Sequence, residues 1–147
     1  MMSQSLDLYE IKEEKDHVFI RFSSTMDHID DACAAVLLFL RSRGSKFFPY
    51  LFAVNLGMRE AMANAVRHGN KYDQSKLVTM ELDISRDPWL CMKISDQGPG
   101  FEWTQVQDRV APDEADHGRG MSIMRTYFDR FTYNDKGNIL YLEKRIL

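Results

Sequence analysis

The sequence has little cysteine, no long apolar run and no excess of basic residues, and each absence excludes a class of protein. Its two cysteines, Cys33 and Cys91, stand far apart in apolar surroundings without the close Cys/His spacing of a zinc site, so we expect buried free thiols in a reducing compartment. No apolar stretch approaches the length of a membrane span, and the N-terminus has no charged-then-apolar signal segment. These features favour a cytoplasmic protein without a membrane partner.

Charge and composition indicate an ordinary globular domain. A formal net charge of −3 gives no basic footprint, so nucleic acid is not an expected partner. Hydrophobic residues make up 44% of the chain and charged residues 28%, which is typical of a folded protein and not of a disordered one. Because the sequence has no repeat, linker or low-complexity segment, residues 1–147 are predicted to form one domain with a single core.

The hydrophobic period predicts hairpin strands and three main helices. Strands are expected where apolar and polar residues alternate: residues 6–8, 18–23, 78–84, 90–94, 130–133 and 139–146. Helices are expected where apolar residues recur every three to four positions: residues 27–43, 50–67, a short one at 104–110 and one opening at Gly118. This order predicts a two-layer α/β sandwich, with a mixed, mostly antiparallel sheet covered on one face by helices. Phe19 and Cys91 fall on the other face and indicate a contact surface there. His28 is expected at the surface, since nothing around it supports a phosphate-accepting role.

The central helix carries Glu60 and Asn64. Four residues apart, these side chains lie one above the other on a helix and pair a carboxylate with an amide oxygen. Apolar residues recur on the side predicted to face the core: Leu51, Val54, Met58, Ala61, Met62 and Ala65. Glu60 and Asn64 are therefore expected to point away from the core. On its own, such a pair is typical of a solvent-exposed helix face.

Two glycine sites further along the chain suggest a nucleotide. Asp96 ends an apolar strand, where a carboxylate can accept a hydrogen bond from the exocyclic amino group of adenine, whereas guanine presents an oxygen there. Gly98 and Gly100 allow the backbone to approach a planar base closely. Gly118 and Gly120 open a helix whose free N–H groups suit phosphate. Each glycine site alone is weak evidence for a ligand, but the order and spacing of the two sites predict a nucleotide site.

The helix pair has chemistry that fits such a site. An asparagine oxygen, here that of Asn64, suits Mg²⁺, which takes few protein ligands beside the phosphates of a nucleotide. Glu60, one turn earlier, is placed to take a proton from an attacking hydroxyl or water. Residues 111–117 form a polar loop with one proline and three acids, which we expect to order over the phosphates as a lid.

Together these residues resemble the GHKL ATP-binding fold shared by gyrase, the Hsp90 chaperones, histidine kinases and MutL. Within that fold, the chain is similar to the anti-sigma-factor serine/threonine kinases of bacterial stress and sporulation control. Three motifs carry the resemblance: Glu60-x-x-x-Asn64-Ala-x-x-His68-Gly69, Asp96-x-Gly98-x-Gly100-Phe101 and Gly118-Arg119-Gly120-Met121.

The resemblance implies a function and a set of roles. It implies binding of ATP and Mg²⁺, transfer of the γ-phosphoryl group to a serine or threonine of a small anti-sigma-factor antagonist, and sequestration of a sigma factor by a homodimer. It implies that Glu60 is the catalytic base, that Asn64 holds Mg²⁺ and that Asp96 binds adenine. Base and phosphates would be contacted by the remaining motif residues: Gly98, Gly100, Gly118, Arg119 and Gly120.

Two alternatives use the same residues. A regulatory binding module could use ATP only to set its shape, because the fold and the nucleotide site would be common to both functions. The detached catalytic domain of a histidine kinase is disfavoured, because the segment before the central helix is too short for a dimerising helix pair that bears the acceptor histidine.

Overall fold

The computed structural model describes residues 7–100 and 122–147, which contain six strands and three helices longer than one turn. The strands are β1 Tyr9–Glu13, β2 His17–Ser23, β3 Leu77–Arg86, β4 Trp89–Ser95, β5 Arg130–Tyr133 and β6 Ile139–Arg145. The α-helices are α1 Ile29–Arg43, α2 Leu51–Asn64 and α3, residues 122–127. Short 3₁₀ segments lie at Met26–His28 and Ser45–Tyr50, and a π-helical turn at Ala65–Gly69 follows α2. The helix predicted at 104–110 and the opening of α3 at Gly118 lie outside the described residues.

The strands form one sheet in the order β1-β2-β3-β4-β6-β5, and every described pair is antiparallel. The predicted two-layer α/β sandwich, with helices on one face, is confirmed. Alternate strand residues bury their side chains beneath α1 and α2, as the period-two pattern requires. The buried strand residues include Val18, Ile20, Phe22, Val78, Met80, Leu82, Leu90, Met92, Ile94, Leu140 and Leu142.

Helix α3 packs against α2 through a glycine. A Cβ on Gly57 would lie 2.1 Å from the ring of Phe128, so only a residue without a side chain lets that ring sit against the helix. Met124 and Phe128 are both buried, which agrees with the inner side predicted for this helix. Among the residues described, no helix is long and apolar enough to cross a bilayer.

The second face of the sheet carries polar side chains in contact. His17 and Lys93 lie 3.4 and 3.8 Å from the carboxylate of Glu81. On the same face, Phe19 and Cys91 are each only half-buried. The expectation that both thiols are buried is therefore wrong for Cys91, because it alternates with the buried residues Leu90 and Met92 and lies on the face away from the core.

His28 also differs from its prediction. Its side chain is only 14% exposed, and its Nε2 lies 2.5 Å from Oδ1 of Asp7. The ring stacks near Tyr9 and Phe22, at centroid distances of 5.4 and 5.9 Å. The residue is drawn inward because the segment leading into β1 passes beside the start of α1.

Candidate functional site

A pocket opens where the end of α2 faces the ends of β4, β5 and β6. The helix side is lined by Ala61, Asn64, Ala65, His68 and Gly69. The sheet and loop side is lined by Ile94, Asp96, Gly100, Tyr133, Gly137, Asn138 and Leu140. Residues that are distant in sequence, from the first two predicted motifs, therefore meet in one cleft.

Asn64 lies in this pocket and is only 8% exposed, so its side chain is not on the solvated surface that its polarity alone would indicate. Ala61 and Ala65 belong to the hydrophobic core, as predicted, and also line the pocket beside Asn64. Small alanines suit both a core and a cavity wall. The helix then widens into the π turn, a feature that is frequent at functional sites.

Glu60 lies one turn before Asn64 and is not among the residues that line the pocket. It nevertheless shares one feature with Asn64, a buried side-chain oxygen. The Oε2 atom of Glu60 and the Oδ1 atom of Asn64 are both buried, and neither has a hydrogen-bond partner among the described residues. Oδ1 of Asn55 on the same helix is a third such oxygen. Because a buried acceptor without a partner costs about 1–3 kcal/mol, the one that lines the pocket, on Asn64, indicates a place for a ligand that supplies positive charge or donors.

Asp96 is fixed at the opposite side of the pocket, directly after β4. Its Oδ1 accepts the N–H of Gly98 at 2.8 Å, and its own N–H donates to the carbonyl of Asn138 at 2.9 Å. Burial raises the pKa of this carboxyl above the ordinary 3.8, although the Gly98 N–H and the charges of Lys76 and Lys136 oppose the rise. The Asp96 residue itself lines the pocket.

The glycines near Asp96 permit backbone to pack on backbone. A Cβ on Gly98 would lie 2.0 Å from the carbonyl oxygen of Gly69, and one on Gly69 would lie 2.3 Å from the Asp96 carboxylate. Gly100 has φ +82° and would meet the carbonyl of Lys136 at 1.8 Å. Gly100 lines the pocket, whereas Gly98 lies behind Asp96 and sets its position.

Sequence reasoning missed the β5–β6 turn as a wall of the pocket. Oδ1 of Asn134 accepts the N–H groups of Gly137, Asn138 and Ile139 at 2.9 to 3.0 Å, which makes the turn rigid. Burial raises the pKa of the neighbouring Tyr133 hydroxyl above its usual range, and the charge of Asp96 adds to the rise. In the sequence, residues 134–138 are only the segment between two predicted strands, and the folded sheet brings them beside Asp96, whose N–H donates to the Asn138 carbonyl.

The residues present fit a nucleotide with Mg²⁺. The pocket is lined by Asp96 and by Asn64, whose Oδ1 has no hydrogen-bond partner among the described residues, and Mg²⁺ bound to phosphates needs few protein ligands. Within residues 7–100 and 122–147, no three His, Cys, Asp or Glu side chains cluster as a complete protein-only metal site. The predicted phosphate residues Gly118, Arg119 and Gly120 and the lid at 111–117 lie outside the described part of the chain.

Comparison with known proteins identifies a family and several relatives of this chain. Residues 22–144 match the family described as Histidine kinase-like ATPase domain. An anti-sigma F factor of Clostridium perfringens strain ATCC 13124 is 27% identical over 100 residues, which cover 63% of this chain and 71% of the relative. The anti-sigma F factor of strain SM101 is 26% identical over the same length.

A solved structure shares the fold. The histidine kinase domain of the blue-light activated histidine kinase from Erythrobacter litoralis EL346 superposes with a TM-score of 0.52 at 14% identity. The match covers 85% of this chain and 62% of the kinase domain. The resemblance seen in the motifs is confirmed by these matches.

Proposed function

The chain belongs to the histidine kinase-like ATPase domain family, and from that premise we propose that it is an ATP-dependent serine/threonine protein kinase that acts as an anti-sigma factor. It binds ATP with Mg²⁺, phosphorylates a small antagonist protein, and sequesters a sigma factor as a homodimer in the cytoplasm. The observation that carries the proposal is the pocket that Asn64 and Asp96 line together, with Oδ1 of Asn64, and Oε2 of Glu60 one turn earlier, buried and unpartnered among the described residues. The similarity to anti-sigma F factors supports the choice of partners.

Each residue has a role in this proposal. Asp96 accepts a hydrogen bond from the amino group of adenine. The Asn64 oxygen would hold Mg²⁺, which would neutralise charge on the phosphates. Glu60 takes the proton from the serine or threonine hydroxyl as that oxygen bonds to the γ-phosphorus. The bond from the γ-phosphorus to the bridging oxygen breaks, and ADP leaves with the electron pair. Gly98 and Gly100 shape the base site.

The phosphate-binding part of the site stays a prediction from the sequence. Gly118, Arg119 and Gly120 are proposed to contact the phosphates at the start of α3, and residues 111–117 to close over them. Protection of residues 111–117 from proteolysis by ATP would support the lid, and equal cleavage with and without ATP would contradict it.

Replacement of Glu60 tests the catalytic role. With γ-labelled ATP and a purified antagonist candidate, Glu60→Gln is expected to slow transfer by about 10²- to 10⁴-fold, the usual contribution of a general base. ATP affinity measured by calorimetry should stay close to that of the wild type. Glu143→Gln, on the outer sheet face, is the matched control and should transfer normally. Normal transfer by Glu60→Gln would show that the assigned role is wrong.

A nucleotide-gated binding module is the second candidate, and one observation favours it: Glu60 is not among the pocket-lining residues. In that case the wild type would form an ATP-dependent complex with a partner and leave the partner unlabelled. Acid-labile label on a histidine would instead indicate histidine kinase chemistry. Analytical ultracentrifugation tests the homodimer, which a monomer at micromolar concentration would contradict.

A further inference from the structure

Asn70 is a buried polar residue directly after the His68-Gly69 end of the first motif. The proposed function gives it no role. The residue is 1% exposed, and the π turn places it there, because its N–H donates to the carbonyl of Ala65 at 2.8 Å. Unlike Asn64, it has partners for its whole side-chain amide. The Asn70 side chain therefore holds parts of the protein together and has no free group for a ligand.

The Asn70 amide joins three separate segments. Its Nδ2 donates to Oγ of Ser24 at 2.6 Å, after β2, and to the carbonyl of Leu77 at 3.0 Å, where β3 begins. Its Oδ1 accepts the backbone N–H of Gln97 at 2.8 Å. Gln97 in turn accepts the N–H of Leu77 through its Oε1 at 2.7 Å. Asn70 and Leu77 are thus both hydrogen-bonded to Gln97, the residue between Asp96 and Gly98.

This bond reaches the turn that orients the Asp96 carboxylate. Gly98, whose N–H holds Oδ1 of Asp96, packs its backbone against the carbonyl of Gly69. The turn is therefore clamped to the end of α2 at two adjacent points, Gly69 by contact and Asn70 by hydrogen bond. Without the second point, Asp96 can rotate relative to Asn64.

We propose that Asn70 is the positioning residue for adenine selection, holding the Asp96–Gly98 turn so that the Asp96 carboxylate meets the 6-amino group of the base. The inference rests on the proposed function, because it requires that Asp96 bind adenine. It assigns Asn70 no contact with the nucleotide. Its effect is on the choice between purines that differ at position 6.

The test compares the affinities of ATP and inosine triphosphate, which lacks the 6-amino group, by calorimetry. The wild type is expected to prefer ATP by about 10- to 100-fold, the range for a hydrogen bond to a charged group. Asn70→Ala should lower this preference to about threefold or less, because the Gln97 N–H loses its acceptor. Asn70→Asp keeps an oxygen for that N–H and should retain most of the preference, although its buried carboxyl makes the protein less stable.

Ser24→Ala is the matched control, since it removes one bond of the same network but leaves the one to Gln97. Its preference for ATP should equal that of the wild type. A merely structural role would give preferences that follow thermal stability, with Asn70→Asp as poor as Asn70→Ala, and that result would overturn the inference. If Asn70→Ala does not fold, the exchange rate of the Gln97 amide proton in the wild type decides: protection supports the bond, and exchange at the rate of a free loop amide overturns it.

The two levels of the proposal fail differently. A wild type that binds both nucleotides equally, or neither, refutes adenine recognition by Asp96 and the inference with it. A wild type that selects ATP, together with an Asn70→Ala variant that selects it equally well, refutes the inference and leaves the proposed function intact.

Discussion

The two sides of the cleft are built in opposite ways. On the helix side, Glu60 and Asn64 keep buried oxygens without partners among the described residues. On the loop side, the Asp96–Gly98 turn is held by Asn70 and Asn138 through hydrogen bonds of 2.8 and 2.9 Å. Hydrogen bonds thus hold the turn proposed to select the base, whereas the oxygens proposed for metal binding and catalysis have no partner within residues 7–100 and 122–147. Preorganisation would favour specificity on the loop side, and a bound ligand would supply partners on the helix side.

The largest expected effect comes from disturbing the loop side. Gly98→Ala should weaken ATP binding by more than about 100-fold, because a Cβ 2.0 Å from the Gly69 carbonyl pushes the turn away from the helix. Gly44→Ala is the control, since its Cβ would meet nothing within 4 Å and its φ of +140° affects only stability. Calorimetry measures both variants. Binding by Gly98→Ala at wild-type strength would show that the turn is not preorganised.

A stability measurement compares the two sides directly. Asn70→Ala should lower the free energy of unfolding by about 3 kcal/mol, because three hydrogen bonds are lost. Asn64→Ala should cost less than about 1 kcal/mol, because the oxygen it removes has no hydrogen-bond partner in the described part of the chain. Urea unfolding without nucleotide gives both values. Equal losses would remove the distinction between the two sides.

The pH dependence of ATP binding tests the proposed role of Asp96. Burial raises its pKa above 3.8, and the ionised form is the one that accepts the adenine amino group. Affinity should therefore be full above that pKa and fall by about tenfold per pH unit below it. Asp96→Asn should remove the part of the slope that this carboxyl causes. A wild-type profile that matches the variant would contradict the assignment.

The smallest effect comes from distant charge. Lys76 and Lys136 each lower the pKa of Asp96 through space, so Lys136→Gln should move the midpoint of the binding profile slightly upward. The two profiles should converge at high salt, because ions screen such charges. A difference that persists in 1 M salt, about a 3 Å screening length, would indicate a direct contact instead.

Local patterns predicted five of the six strands and the position of Asp96, because period-two alternation and the end of an apolar run are properties of short segments. The first strand was predicted at residues 6–8 but lies at Tyr9–Glu13, where four of the five residues are exposed and no apolar face is formed. Local patterns did not predict the burial of Asn64, since one helix period reveals an apolar stripe but not a second covered side. The side-chain hydrogen-bond partners of Asn70 are 7 to 46 residues away in the chain, and Asp7 is 21 residues from His28, so only the packed sheet brings them together. Ala61 and Ala65 were correctly predicted as core residues, but the pattern did not show that they also line the pocket.

The wide turn at Ala65–Gly69 restricts how the length of this segment can change during evolution. Deleting one residue from it would restore a regular α-helical ladder, a local gain in backbone regularity. The same deletion would rotate everything that follows by about 100° around the helix axis and withdraw Gly69 and Asn70 from the turn they hold. Homologues that keep the base site should therefore tolerate insertions and deletions in the β1–β2 hairpin loop far more readily than between residues 64 and 70.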